Sequence, residues 1–424
     1  MIERARGGVF VRMFGSAVIM QAVVSITSLL VGLILIRRSS DAQYGYYVLT
    51  VNVIMLLTAL QSSFIQPQMV VRLTGATPQE RADIVGGLYR DQRRLWPVFG
   101  VCAIVAALDA LTTNLLPPGA GWVAVAAAIA VFAALYREFF RMLLLAQRLP
   151  VAVLKADITY AVLMILGAMV ATLTPAPAAI CALAVACAAT AGGLLCSRYL
   201  WRQVPWNIHG APGILRAIAP IGIVTAAGAA IHWLFSQGYN FLVAGTLDVS
   251  AVAAIAATRI LIMPVNLLST GIGTMMLPTT SGWLQTMDAR VVLRRLLLLA
   301  SALALAALGY FAVLWLVRDW LFANVLKKQF AQRDRLLLLW YAVGLLMLLR
   351  DQLIYLLLAR SRFHVLTLLT FVSALLSLIT SYFSMRLIGV TGALWGVITG
   401  ETISVIGLLT LSFMEVRKSH GATK

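Results

Sequence analysis

Acidic residues are scarce in this sequence: 15 Asp and Glu stand against 33 Lys and Arg in 424 positions, and charged residues make up only 11%. Soluble domains carry about 25% charged residues, so this deficit excludes a water-soluble fold, and the 61% of apolar residues must meet lipid. Cysteine is almost absent. Cys102, Cys181, Cys187 and Cys196 all lie in apolar segments, which suits small packing residues and neither a disulfide framework nor a metal site. No phosphate-binding Gly-x-x-x-x-Gly-Lys loop, no His-Glu-x-x-His and no glycine-rich dinucleotide fingerprint occurs, so no metal, no cofactor and no direct use of ATP are expected. The longest stretch outside the apolar runs, about 30 residues between Gln66 and Leu95, is too short to house a catalytic domain, and the chain is not expected to be an enzyme. A cleavable signal peptide is not expected either, because the first apolar run is of spanning length and lacks a small-residue cleavage site.

What the sequence does hold is apolar runs of about 20 residues, each able to cross about 30 Å of hydrocarbon as a helix. Twelve such spans are predicted, near 14–36, 44–65, 96–116, 121–145, 151–173, 178–198, 217–237, 251–277, 296–317, 336–358, 364–385 and 389–413. Placing both termini in the cytoplasm gathers most basic residues on that side, with clusters at Arg90, Arg93 and Arg94, at Arg290, Arg294 and Arg295, and at Arg417 and Lys418, as the positive-inside rule requires. The net charge of +18 is spread over short loops, a pattern that topology and anionic headgroups explain and that gives no reason to expect nucleic acid. One segment resists: Arg318, Lys327, Lys328, Arg333 and Arg335 would face outward.

The chain also repeats itself. Arg137-Glu138, four positions, then Leu143-Leu144-Leu145-Ala146 recurs 213 residues later as Arg350-Asp351, four positions, then Leu356-Leu357-Leu358-Ala359. Asp41 precedes Asp248 by 207, and Gln66-Pro67 precedes Leu277-Pro278 by 211. Matches at nearly one offset, half the chain length, point to duplication. Six spans per half is even, so the halves share orientation as a parallel repeat. The expected fold is therefore an all-α integral membrane protein, twelve helices in two six-helix lobes, 1–205 and 206–424, around a central cavity.

Charges inside spans are costly, roughly 2.5 to 3.5 kcal/mol each on insertion scales, and so mark candidate sites. Arg259 either lines a cavity or snorkels along its stem. Arg137 and Glu138 read equally as a helix-end structure, with Glu138 pairing Arg141 at i,i+3, or as function. Asp351 has no basic residue one turn away and should seek a partner on another helix, unless adjacent Arg350 simply compensates its charge. Glu401, near the centre of the last span, reads as an unpaired carboxylate that serves proton or cation coupling or else a buried hydrogen bond. His232 either faces the same interior or bonds a neighbouring helix. Asp41 and Asp248 read as turn or N-cap residues, and Pro67, Pro220, Pro264 and Pro278 as breaks or bends.

The stretch from Ala256 to Gly282, with Ala257-Thr258-Arg259-Ile260, Pro264, Leu268, Gly273-Thr274, Leu277-Pro278 and Ser281, resembles the span-7-to-8 region of the multidrug/oligosaccharidyl-lipid/polysaccharide exporter superfamily, including its lipid II flippases. The segment from Ile36 to Leu49 is similar to the motif after span 1 in polysaccharide exporters and O-antigen flippases. In lipid II flippases the arginine matching Arg259 lines the cavity and contacts phosphates, so the resemblance implies that role for Arg259. Those flippases also have arginines in span 1 and two extra helices. Here span 1 offers Gln21, Ser25 and Thr27 instead, and the spans number twelve, which favours the polysaccharide-exporter branch.

The expected function is translocation of an undecaprenyl-pyrophosphate-linked oligosaccharide, a polysaccharide or O-antigen repeat unit, across the bacterial inner membrane by alternating access. Arg259, Arg350, Arg137 and His232 are the candidate substrate-binding residues, and Glu401 and Asp351 the candidate coupling residues for H+ or Na+. No residue is assigned to catalysis or to a metal. The expected partners are the polyprenyl-pyrophosphate-linked glycan, membrane lipids, and the polymerase and glycosyltransferases of the same glycan, with the chain itself acting as a monomer. A cation-coupled multidrug antiporter of the same superfamily, or a membrane-embedded glycan polymerase or transferase, are the alternatives.

Overall fold

A computed structural model describes residues 2–112, 120–147, 149–203, 206–207, 210, 212–330 and 332–421. The chain is all-helical among these residues. In order the helices are α1 (Ile2–Arg38), α2 (Asp41–Leu73), α3 (Pro78–Thr112), α4 (Ala120–Ala146), α5 (Pro150–Ala171), α6 (Pro177–Gln203), α7 (Ile214–Thr246), α8 (Val249–Ile260), α9 (Met263–Thr286), α10 (Ala289–Trp320), α11 (Arg333–Ala359), α12 (Phe363–Ile388) and α13 (Thr391–Gly421). A π-helical turn, Leu321–Leu326, follows α10.

Each predicted span falls on a helix. Among the described residues, ten helices are long and apolar enough to cross a membrane, or eleven when α8 and the first part of α9, bent by 59°, count as one broken span. The remaining expected span, 96–116, lies in the second half of α3, whose first half is charged. Its last expected residues, 113–116, fall outside the described ones.

Local chemistry sets the helix starts. Ser40, not Asp41, caps α2 by accepting from the Gln43 amide at 3.3 Å, and Asp41 sits in the first turn, where a carboxylate favours the helix dipole. At the head of α3, Thr77 and Glu80 form a capping box, the Thr77 amide donating to Glu80 at 2.7 Å. Asp248 caps α8 as expected, accepting from Ala251 N at 2.7 Å, and its hydrogen bonds from the Ser250 hydroxyl and from backbone amides hold its carboxyl below the usual range. Pro150 and Pro177 open α5 and α6, the position where a missing amide proton costs least.

The prolines divide differently from expectation. Pro67, Pro220 and Pro278 lie inside continuous helices. Pro264 alone marks a break, at the start of α9, where the Tyr310 hydroxyl donates to the Leu261 carbonyl at 2.7 Å and so satisfies a backbone group that the lost turn frees.

The chain forms two compact units, Met1–Ala230 and Ile231–Lys424. Their internal packing is alike: α2 on α4, α3 on α4, α4 on α6 and α5 on α6 in the first unit match α9 on α11, α10 on α11, α11 on α13 and α12 on α13 in the second. The sequence repeat is thus a repeat of helix packing. The boundary falls within α7. In the first unit, the Thr225 hydroxyl of α7 donates to the Ser63 carbonyl at 2.7 Å and Arg72 to the Ala217 carbonyl at 3.3 Å.

In the second unit, α12 and α13 approach closely because Gly392, Gly396 and Gly400 face Ser377, Ser381 and Ser384. Small residues let backbones meet where no hydrophobic force drives helices together. The Ser381 hydroxyl donates to the Ala393 carbonyl at 3.0 Å, and Ser404 to Ser373 at 2.9 Å. A side chain at Gly396 would strike the Ser381 amide and the Ser377 carbonyl. Gly396→Leu is therefore expected to destabilise the protein by about 1 to 3 kcal/mol or more, read as a lowered midpoint in thermal unfolding of the detergent-purified chain; an unchanged midpoint would contradict the close contact.

Candidate functional site

Among the described residues, the intramembrane charges include three groups. In the first unit, Arg137 of α4 pairs with Asp157 of α5 at 2.6 Å, and Asp157 is fully buried. Arg141, one turn along α4, reaches the other Asp157 oxygen at 3.4 Å and Glu138 at 3.4 Å. The Arg137 guanidinium lies 4.1 Å from the centroid of the Tyr160 ring. Gly192 of α6 leaves the space: a methyl there would come within 3.2 Å of the Arg137 side chain. Two guanidiniums meet two carboxylates, so this cluster is neutral.

The second unit holds a related cluster with a different balance. Arg350 of α11 pairs with Glu401 of α13 at 2.6 Å and with its neighbour Asp351 at 2.9 Å. The second Asp351 oxygen accepts from the Ser269 hydroxyl of α9 at 2.7 Å, the partner on another helix that the sequence called for. Glu401 is therefore not unpaired, contrary to expectation: Arg350, in the repeated motif, supplies its counter-charge. Its other oxygen, Oε2, is buried without a hydrogen-bond partner. Two carboxylates share one guanidinium, so the cluster holds one more acid than base. His232 of α7 is exposed and lies within electrostatic reach of Arg350 and Asp351. One turn beyond it, the Phe235 ring sits 5.6 Å beneath Arg350.

The repeat breaks at this level. Arg137 finds its acid on α5, the counterpart of α12, whereas Arg350 finds Glu401 on α13, the counterpart of α6. Asp157 escaped the sequence reading, although it interrupts the apolar span 151–173 just as Glu401 interrupts the last one.

The third is Arg259, in the last turn of α8 beside the break. Its Nη1 donates to the Gln237 side-chain carbonyl at 2.7 Å and to the Tyr239 hydroxyl at 3.1 Å. Gln237 also accepts from Asn240 at 3.2 Å. The Trp340 ring lies 5.5 Å from the guanidinium, held in place by its indole N–H donating to the Ile255 carbonyl at 3.2 Å. Every partner is neutral. Among the described residues Arg259 meets no carboxylate, and Nε and Nη2 make no hydrogen bond, whereas Arg137 and Arg350 are both matched by acids.

The basic segment after α10 is partly neutralised by its own acids. Arg318 lies 3.6 Å from Asp334, Arg333 lies 3.3 Å from Asp334, and Arg333 also pairs with Asp319. Lys327 adopts a left-handed conformation at φ 52° and ends the π turn. Among the described residues no group of three His, Cys, Asp or Glu is placed to hold a metal ion.

The balance of the first cluster gives a specific expectation. Asp157→Asn strands Arg137 beside a neutral amide and should cost about 3 to 5 kcal/mol, the usual penalty for breaking a buried pair from one side. The loss would be seen as reduced accumulation and a lower unfolding midpoint, without change in any ion dependence of the remaining transport. An ion dependence altered by Asp157→Asn would assign coupling to the first unit.

No family model matches the sequence, and no curated relative does. Solved structures match almost throughout. An inward-facing multidrug resistance MATE family transporter of the MOP superfamily is 14% identical, with 94% of this chain and 96% of that chain covered and a TM-score of 0.77. An outward-facing structure of such a transporter, also 14% identical, matches over 97% and 96% with a TM-score of 0.64. A MOP superfamily transporter from Pyrococcus furiosus, described as having a reversed binding-pocket polarity that suggests a different function, matches over 96% and 95% at 14% identity with a TM-score of 0.64. The chain has the fold of the MATE transporters.

Proposed function

We propose that this chain is a multi-pass secondary exporter of the bacterial inner membrane, with both termini cytoplasmic, and that its cargo is a polyprenyl-pyrophosphate-linked oligosaccharide. The observation that carries the cargo is Arg259: an intramembrane guanidinium with neutral partners and two unused donors beside a broken span. An arginine fork binds phosphate oxygens in pairs. A glycan on a pyrophosphate cannot cross hydrocarbon unaided, while its polyprenyl tail stays in the bilayer. A positive charge left uncompensated by the fold suits that anion and repels a cationic drug. The surplus acid around Arg350 supplies the coupling element, because the free Glu401 oxygen can take up H+ or Na+ to balance it. Arg350 and Arg137, already matched by acids, then act on cargo less directly than Arg259.

A second reading, the cation-coupled multidrug antiporter, is favoured by the solved structures: those of like fold are described as multidrug transporters, and they speak for this reading more than for the first. Expression in a strain stripped of its own exporters separates the two. The anionic-cargo reading expects no gain in survival against cationic dyes and restoration of surface polysaccharide in a strain lacking its own flippase. Dye resistance without polysaccharide would establish the antiporter instead.

A further inference from the structure

A groove in the first unit is built for a hydrocarbon chain. Helices α2, α3 and α4 and the first half of α7 enclose a cavity of about 590 Å³. A second, of about 430 Å³ between α3 and α4, borders it at Ala103 and Phe132. Leu60, Phe64, Phe99, Val131 and Leu135 form much of the wall. Phe99 and its neighbour Val98 are half exposed, on a helix whose second half is read as a membrane span, so the opening faces lipid.

Two features define the occupant. The α3 wall runs from Gln92 to Ile104, about 18 Å at about 1.5 Å per residue, close to the roughly 15 Å of hydrocarbon in one leaflet, half of about 30 Å. At the Gln92 end the next two residues, Arg93 and Arg94, are exposed, and the nearest acid in sequence, Asp91, is engaged by the Leu215 amide at 3.1 Å. Also at that end, Trp96 lines the groove, and its indole N–H is buried without a partner. A chain-length apolar slot with two cations at one end matches an acyl chain and a phosphate in that order.

We propose that this groove holds one acyl chain of an anionic phospholipid, with the headgroup phosphate on Arg93 and Arg94. The site is independent of the cargo reading.

Cys102 lines the groove and is exposed, which gives a direct probe. The full chain carrying Cys187→Ser, which removes the other exposed thiol, is purified in detergent, and maleimide alkylation of Cys102 is timed while phosphatidylglycerol or phosphatidylcholine is added. Phosphatidylglycerol should protect Cys102 at about 30-fold lower concentration than phosphatidylcholine, the effect of two interfacial arginines. Arg93→Gln with Arg94→Gln should erase that difference. Ala103→Trp, which fills the border of the two cavities, should remove protection while the unfolding midpoint holds. Equal protection by both lipids, no protection by either, or protection by undecaprenyl phosphate alone would each overturn the proposal.

Discussion

Arg350→Met should be among the most damaging single substitutions in this protein, and Glu401→Gln, its partner's, should be mild for folding and severe for coupling. The asymmetry follows from the charge count. Removing Arg350 leaves Asp351 and the buried Glu401 without a cation, and breaking a buried pair from that side costs about 3 to 5 kcal/mol, a large fraction of the about 5 to 15 kcal/mol by which proteins are stable. Glu401→Gln instead leaves Arg350 and Asp351 as a matched pair, and the amide oxygen can still accept from the Arg350 fork at the position where Glu401 Oε1 now sits 2.6 Å away. What is lost is the surplus acid. The variant should accumulate at close to the wild-type level while its transport no longer responds to pH or to sodium. Arg350→Met combined with Glu401→Gln should recover part of the stability lost by Arg350→Met alone, because one carboxylate fewer is stranded. Membrane level and unfolding midpoint read the first effect, and transport against pH and sodium reads the second. If Glu401→Gln transports with wild-type ion dependence, coupling does not reside in Glu401 and Asp351 is next.

Arg259→Ala should abolish most glycolipid export at normal protein level. A charge-assisted contact contributes about 1.5 to 3 kcal/mol, about 10- to 150-fold in binding. The partners Arg259 would leave behind, Gln237 and Tyr239, are neutral, so the fold should tolerate the change better than it tolerates Arg350→Met. Arg259→Lys should restore export only in part, since an ammonium keeps the charge but loses the planar fork. A snorkelling Arg259 would predict full activity for lysine. The structure already disfavours that reading, because the guanidinium is fixed by two hydrogen bonds and packed against Trp340.

The fold was largely legible because lipid makes sequence explicit: long apolar runs are spans, and the repeat at Arg137 and Arg350 aligned helices that also pack alike. Partners were less legible. The Glu138–Arg141 pair could be read from i,i+3 spacing, but Arg350 with Glu401 and Arg137 with Asp157 join residues 51 and 20 positions apart, and no helical spacing reports a contact between helices. Asp351 pairs with its sequence neighbour Arg350 and also finds a partner on another helix, yet nothing in the sequence chose Ser269. The groove along α3 was invisible for a related reason: its walls are ordinary apolar residues, and only their arrangement leaves a space.

On the proposed function, the protein moves a lipid-linked anion through a site built on Arg259. The most direct measurement reconstitutes the purified chain in vesicles with a fluorescent polyprenyl-pyrophosphate oligosaccharide and follows its accessibility to a membrane-impermeant quencher, beside the uptake of a cationic dye. The wild-type chain is expected to transfer the glycolipid between leaflets, Arg259→Ala is not, and neither is expected to move the dye. Dye transport with no glycolipid transfer, or glycolipid transfer unchanged by Arg259→Ala, would contradict the proposed function.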